Sequence, residues 1–181
     1  MTQEELLSRL ETEMRALLVE VRAQFTHLDP GVLQSRYPAE SWNILECFAH
    51  LNQYALDYLP KMELSIHKAK ARRWAPGSEV QYKGRGRRAI RRADPNNGKT
   101  YKASKIYNFG RRPVGNEIIK SFIINSERLL RVIQAARDVD INRASVKKAH
   151  AWIGRYTLAN LLEFLVAHNR RHILQAQRLL G

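Results

Sequence analysis

The chain has 181 residues, of which 44% are hydrophobic, and a formal net charge of +14 at pH 7. This length and composition predict one globular domain, residues 1–181, with enough apolar side chains for a core. No run of about 18 apolar residues occurs, which argues against a membrane-spanning segment. The acidic start lacks the features of a secretory signal peptide, and a single cysteine cannot form an internal disulfide, so we expect a reducing cytoplasm.

The positive charge is concentrated in one part of the chain. Residues 68–112 hold 15 of the 31 Lys and Arg residues and only two of the 17 acidic ones. The remainder is close to neutral. The excess charge therefore belongs to a local feature and not to the fold as a whole.

The first predicted element is a long helix at the N-terminus. Thr2 followed three residues later by Glu5 matches a capping box, the reciprocal pair that begins many helices. Apolar residues then recur at helical spacing and predict helix 1 over roughly residues 3–27. Residues 31–37 predict a short helical turn, which Pro38 should interrupt.

A second long helix is predicted to begin after Ser41, which can serve as its N-cap. Its apolar stripe begins with Ile44, Leu45, Phe48, Leu51 and Ala55. Pro60 should kink or end this helix, because proline lacks a backbone N–H and clashes with the preceding turn. The apolar pattern nevertheless resumes and reaches about residue 72.

Residues 73–112 show no helical or alternating period. Unstructured segments of this length are usually functional or disordered. Five aromatic side chains argue against simple disorder: Trp74, Tyr82, Tyr101, Tyr107 and Phe109. We expect much of the segment to lie against the helices, with room for a short hairpin or helical turn within it.

Two further helices complete the predicted fold. Pro113 suits the first turn of helix 3, which the apolar pattern carries to about residue 137. Residues 138–156 form an irregular connection, and Thr157 is the predicted N-cap of helix 4. Four long helices without a strong strand pattern predict an all-α four-helix bundle, with 68–112 as a long basic insertion between helices 2 and 3.

Three histidines inside the helical patterns are the main candidates for chemistry. His168 and His172 are four residues apart and therefore share one face of helix 4. If helix 2 packs His50 against that face, three imidazoles can converge on a divalent metal and leave a coordination position open. The alternative is a pair on a solvated face, because two histidines at this spacing also arise by chance.

The residues around these histidines also resemble a known family. SWNILECFAHLNQYALDYLP resembles the Trp-x-x-x-Glu-x-x-x-His-Leu signature of the DinB-like superfamily, also called YfiT-like metal-dependent hydrolases. AHNRRHILQAQRLL resembles that superfamily's closing His-x-x-x-His-x-x-Gln helix. The resemblance implies a four-helix bundle that binds nickel, zinc or another divalent ion through His50, His168 and His172.

The resemblance implies less about the reaction. It fits a metal-dependent hydrolase or a thiol-dependent transferase, which would act on a small-molecule substrate and, in the second case, use a low-molecular-weight thiol. Bundles of this family often form homodimers, so a homodimer is an expectation that the residues themselves do not test.

Polar residues near the histidines have predicted supporting roles. A metal-bound imidazole usually donates its second N–H to an acceptor. Glu46, one turn before His50, is the first candidate for that acceptor, and the alternative is a carboxylate that lies in water. Gln53 is a second candidate, and Asn169 and Gln175 are weaker ones.

Other reactive residues are expected to lie outside this centre. Cys47 is one turn from a predicted ligand, but a lone cysteine in an apolar stripe is usually a small core residue. Glu163 is expected to point away from the ligand pair, because it is about 140° round the helix from the first of the two histidines. His27, His67 and His150 are expected at the surface.

The basic segment allows three interpretations. Arg85, Arg87, Arg88, Arg91 and Arg92 could contact the phosphates of a nucleic acid, with neighbouring aromatic rings stacked on bases. The segment could instead form a lid beside the metal that recruits an anionic substrate or a thiol cofactor, and we favour this interpretation. The third is a solvated loop without a specific partner.

Overall fold

The computed structural model describes residues 1–151 and 154–181. Four long helices form the bundle: α1 (Gln3–Phe25), α3 (Ile44–Ala71), α5 (Glu117–Ala135) and α6 (Leu158–Gln177). The connections contain two shorter helices, α2 (Pro30–Gln34) and α4 (Gly84–Ala93), and two strands, β1 (Ser145–Lys147) and β2 (Arg155–Thr157). Three-residue 3-10 turns follow α4 (Pro95–Asn97) and α5 (Ala136–Asp138). The predicted all-α fold is confirmed.

The four long helices form a ring around one core. α1 and α3 each pack against both α5 and α6, so α1 and α3 lie across the bundle from one another. Phe48 of α3 contacts Phe25 of α1 and Phe122 of α5 edge to face, with ring centroids 5.3 and 5.2 Å apart. Such pairs contribute about 0.5–1.5 kcal/mol beyond the apolar area that they bury. No helix among the described residues has the length and apolarity needed to cross a membrane.

Two of the predicted helix starts are confirmed. The Thr2 hydroxyl accepts a hydrogen bond from the Glu5 backbone N–H, and the Glu5 carboxylate accepts one from the Thr2 backbone N–H, at 3.1 and 2.7 Å. Thr157 caps α6 in the same way by accepting from the Asn160 backbone N–H at 3.2 Å. These caps join residues three apart in sequence, which is why the local pattern identifies them.

Two other helix starts were predicted wrongly. Asn43, and not Ser41, caps α3, because Glu46 lies three residues after Asn43 and completes a capping box with it. Pro113 lies outside α5, which begins four residues later at Glu117. A glycine separates the two, and glycine is a poor helix former.

α3 is continuous through Pro60 and reaches Ala71. Of the two outcomes expected at this proline, a break in the helix therefore does not occur. A helix of this length carries His50 in its buried first half and the start of the basic segment at its end.

The basic segment lies against the bundle through α4, a ten-residue helix that packs on α6. The close approach depends on Gly86, since a Cβ atom at that position would lie 2.2 Å from the Asn160 Oδ1 atom. The connection predicted over 138–156 is not wholly irregular, because β1 and β2 pair in it as an antiparallel hairpin. Strands of three residues are too short to show an alternating pattern.

Candidate metal centre

The three predicted histidines meet between α3 and α6. The His50 Nε2 atom lies 2.9 Å from the His168 Nε2 atom. The His172 ring centroid is 4.4 and 4.6 Å from the centroids of the other two rings. One nitrogen from each of the three lies within 4.8 Å of the others. Metal–imidazole bonds are about 2.0–2.1 Å long, which places two nitrogens on one tetrahedral ion about 3.4 Å apart. Small shifts of the rings would therefore bring this group onto one ion.

Hydrogen bonds fix the orientation of two of the rings. His50 Nδ1–H donates to the Tyr107 backbone carbonyl at 2.7 Å, and His172 Nδ1–H donates to the Gln175 Oε1 atom at 2.9 Å. With the Nδ1 atoms protonated, each Nε2 atom carries a lone pair. Acceptors that hold the second ring nitrogen are the usual support of a metal-binding histidine.

All three imidazoles are neutral at pH 7. Burial lowers the pKa of His50 to about 4 and that of His172 to about 3. Burial, together with the two neighbouring imidazoles, lowers the pKa of His168 well below its usual value. Because only a neutral imidazole can donate a lone pair to a metal, the protein environment maintains the form that binds.

Aromatic rings enclose the centre. Trp42 stacks on His172 with ring centroids 6.0 Å apart, and Phe164 stacks on His168 at 5.1 Å. Tyr54 closes a third side by contacting two of the imidazole rings. A lining of this kind keeps water away and strengthens electrostatic interactions inside the centre.

Glu46 does not hold His50, contrary to the predicted role, since the acceptor on that ring is the Tyr107 carbonyl. The buried Glu46 carboxylate instead accepts two hydrogen bonds of 2.6 Å from the Arg36 guanidinium and one of 2.9 Å from the Asn43 backbone N–H. It also accepts one from the Arg111 backbone N–H. Burial alone would raise the pKa of this carboxyl, but these donors hold the pKa below its usual value. Glu46 therefore anchors the segment before α3, which carries Trp42, and the segment before α5, which carries Tyr107.

The other polar residues predicted to support the histidines differ in whether they contact one of them. Gln53 donates to the Asp57 Oδ1 atom at 3.4 Å, and Asn169 donates to the Met14 sulfur at 3.7 Å, so neither contacts a histidine of the centre. Gln175, the weaker candidate, is the residue that does so. Its spacing of three residues from His172 places it one turn away on the same helix.

Residues expected outside the centre lie outside it. Cys47 is fully buried, and burial raises the pKa of its thiol to about 12, so it is not a nucleophile at neutral pH. Glu163 accepts a hydrogen bond from Arg9 at 2.7 Å. His27 and His67 are exposed.

A polar cluster beside the centre was not predicted from the sequence. The Tyr107 hydroxyl donates to the Asp57 Oδ2 atom at 2.8 Å, and the His150 Nε2 atom lies 2.8 Å from the same oxygen. His150 is exposed, as expected, but its φ of 50° is left-handed, which is uncommon for a residue other than glycine. Tyr107 thus links Asp57 through its side chain to His50 through its backbone. Its aromatic side chain is evident in the sequence, but nothing in the sequence marks the role of its carbonyl.

The five arginines predicted to contact an anion lie together on α4, and all of them are exposed. They are exposed, whereas His50 and His168 are buried and His172 is half-buried. The two features therefore differ in their exposure to solvent, which the sequence alone does not show.

Comparison with known proteins agrees with the geometry. The family profile of the DinB superfamily matches residues 7–176, which include His50, His168 and His172. The comparisons with curated proteins and with solved structures find no match. The family match covers nearly the whole of the described bundle, and on this evidence the chain belongs to the DinB superfamily.

Proposed function

We propose that His50, His168 and His172 hold a divalent metal ion, nickel or zinc, and that the protein is a metal-dependent enzyme. The observation that carries this proposal is the convergence of three neutral imidazole nitrogens within 4.8 Å. Structural zinc sites usually have four protein ligands, whereas catalytic sites have three and leave a position for water or substrate. The three-histidine set is of the second kind.

A divalent ion would supply Lewis-acid chemistry and lower the pKa of a water or a thiol, which makes a nucleophile at neutral pH. The residues of the chain would do the rest. The Tyr107 carbonyl and Gln175 hold two rings in the tautomer that binds, and Trp42 and Phe164 limit access of water. Hydrolysis and thiol transfer both fit this arrangement, with a small-molecule substrate in either case. A reducing cytoplasm would keep the free thiol of Cys47 reduced.

Elemental analysis of protein purified without a histidine tag tests the metal site. We expect about one nickel or zinc ion per chain, since three protein ligands form one site. His172→Ala should reduce the metal content to background, and His27→Ala, which removes an exposed histidine, should leave it unchanged. A His172→Ala variant that retains the wild-type metal content would show that these three histidines are not the metal ligands.

A separate assay tests the enzymatic part. Wild-type protein loaded with nickel or zinc would be screened against ester and amide substrates, and against electrophiles in the presence of a small thiol. We expect turnover that disappears on chelation and in the His172→Ala variant. Turnover that survives both treatments would mean that the chemistry does not depend on the centre.

A further inference from the structure

The outer side of α4 is a continuous basic surface. We call it the arginine face, and it consists of Arg85, Arg87, Arg88, Arg91 and Arg92. The opposite side of the helix contains buried Gly86 and Ala93 and packs on α6. At about 100° per residue, the five arginines fill the half of the helix that points away from the bundle. Docking of α4 therefore exposes all five guanidinium groups at once.

These arginines differ from most arginines of the four long helices in having no acidic partner in the part of the chain that the structure describes. Among the described residues, no carboxylate lies within 4 Å of any guanidinium of the arginine face, whereas Arg15, Arg128 and Arg170 pair with Glu11, Glu63 and Glu20 at 2.5–2.6 Å. Five unpaired like charges on a ten-residue helix repel one another. A partner that carries closely spaced negative charges would relieve that repulsion.

We propose that the arginine face binds the phosphate backbone of duplex DNA. A helix of ten residues is about 15 Å long and, with its side chains, about 10–12 Å across. The major groove of B-form DNA is about 12 Å wide and admits one helix. Arginines spread over half of the circumference can then reach the phosphates on both sides of the groove. The major groove of an RNA duplex is too narrow for side chains to read.

Two other polyanions fit the surface less well. Binding of single strands relies on exposed aromatic rings that stack on bases, but the ring of Tyr101, which is exposed beside the arginine face, already contacts the guanidiniums of Arg92 and Arg171 at 5.4 and 5.8 Å. Attachment to a membrane surface requires an apolar side that can enter the lipid. The apolar side of α4 is occupied by α6.

The surface is also held in place before any partner arrives. The Arg171 guanidinium of α6 donates to the backbone carbonyls of Arg92 and Asp94 at 3.3 and 3.0 Å, and to that of Lys99. These bonds tie the end of α4 to the bundle. A surface ordered in advance loses less conformational freedom on binding.

Fluorescence anisotropy with a labelled duplex DNA of mixed sequence, titrated with the full chain over a range of salt concentrations, tests the proposal. Five phosphate contacts predict a slope of log affinity against log salt of about −4 to −5. Combined replacement of Arg87, Arg88 and Arg91 by Gln should weaken binding at low salt by about tenfold or more and make the slope shallower by about 3. His172→Ala should bind DNA like the wild type, because this surface is independent of the proposed metal site.

The matched control removes the same charge elsewhere. Combined replacement of Lys61, Lys120 and Arg131, three exposed cations of α3 and α5, by Gln should leave the slope unchanged. Circular dichroism would verify that both triple variants fold. The proposal is overturned if the wild type does not bind at low salt, or if both triple variants lose affinity equally. Tighter binding to single-stranded DNA, to duplex RNA or to vesicles of anionic phospholipid would also overturn it.

Discussion

The histidine centre includes residues of α6, and the arginine face lies on a helix that packs against α6. Polar groups have hydrogen-bond partners in the centre, whereas the charges of the arginine face have no acidic partner in the described part of the chain. In the centre, the second nitrogens of His50 and His172 have acceptors, and the nearby Glu46 carboxylate has donors from three residues. On the arginine face, five guanidiniums point to solvent without an acidic partner among the described residues. A buried charge without a partner would destabilise the fold, whereas an exposed one has little effect.

This difference shows which charges are free to act on other molecules. The Glu46 and Arg36 charges are committed to the fold, because each satisfies the other. The charges on α4 contribute little to the fold and are available to a partner. The following changes test the contrast, from the largest expected effect to the smallest.

Glu46→Gln should have the largest effect on stability, because it removes the buried carboxylate that three residues donate to. The half-buried Arg36 guanidinium would lose its carboxylate, and the buried backbone N–H donors of Asn43 and Arg111 would face an amide. The expected loss is about 3 kcal/mol in the free energy of unfolding, because each buried group left without its partner costs about 1–3 kcal/mol. Urea denaturation measures this value. Glu13→Gln removes an exposed carboxylate that pairs with Arg9, and it should change the free energy by less than about 0.5 kcal/mol. Equal losses in the two variants would contradict the contrast.

Gly86→Ala should have the next largest effect, because it disturbs the contact that holds the arginine face on α6. The new Cβ atom would lie 2.2 Å from the Asn160 Oδ1 atom and 2.6 Å from its Cβ atom, so the helices must separate. Overpacking of this kind destabilises by about 1–3 kcal/mol. Gly84→Ala is the control, since no atom lies within 4 Å of its added Cβ, and it should stabilise the protein slightly, by about 0.4–1 kcal/mol. If Gly86→Ala left the stability unchanged, the packing of α4 on α6 would not depend on close approach at Gly86.

Asp57→Asn should act on the centre from a distance. Asp57 contacts no histidine of the centre but holds the Tyr107 hydroxyl, and the Tyr107 carbonyl orients His50. Loss of a residue that holds a metal ligand directly weakens metal affinity by about 10–100-fold. Asp57 acts through Tyr107, so we expect a loss at the lower end of this range, about tenfold. Competition with a chromophoric chelator measures the affinity. Asp138→Asn, at an exposed ion pair with Lys70, should not change it. Unchanged affinity in Asp57→Asn would show that Tyr107 is held without this bond.

Lowering the pH should have the smallest effect, by protonating the Glu46 carboxylate and reducing its contribution to the free energy of unfolding. The pKa of Glu46 is lower in the folded protein than its usual value of 4.5. Its contribution to stability is therefore fully present above pH 4.5 and is lost as the pH falls through the folded-state pKa. The difference in unfolding free energy between the wild type and Glu46→Gln should shrink with acidification, as measured by urea denaturation at several pH values. A difference that grows would mean that the folded state favours the protonated carboxyl.

The sequence predicts those features that depend on neighbours along the chain. The caps at Thr2 and Thr157, the four long helices and the shared face of His168 and His172 all follow from spacings of three or four residues. The family motif added His50 to that pair, because only the packing of α3 on α6 brings it there. Local patterns also explain the error at Ser41, since both Ser41 and Asn43 can serve as an N-cap, and only Asn43 has a glutamate three residues later that completes a capping box.

The features that sequence did not predict depend on contacts between distant residues. The apolar stripe of α4 is short and made mainly of glycine and alanine (Gly86, Ala89, Ile90 and Ala93), which are weak signals in the sequence, and its helical form is supported by packing on α6. The Glu46 carboxylate is satisfied by Arg36 and by a backbone N–H at Arg111, 65 residues further along the chain. The acceptor for His50 is a main-chain carbonyl, a group that every residue has and that no motif can mark.

That carbonyl has a consequence for natural variation. Because the bond to His50 uses the backbone of Tyr107, substitutions at this position can preserve it, whereas an insertion or deletion between α4 and α5 would move the carbonyl away. Relatives should therefore tolerate many residue types along this loop but few changes in its length immediately before and after the contact. A comparison of loop lengths among relatives would be more informative about the centre than a comparison of the loop residues themselves.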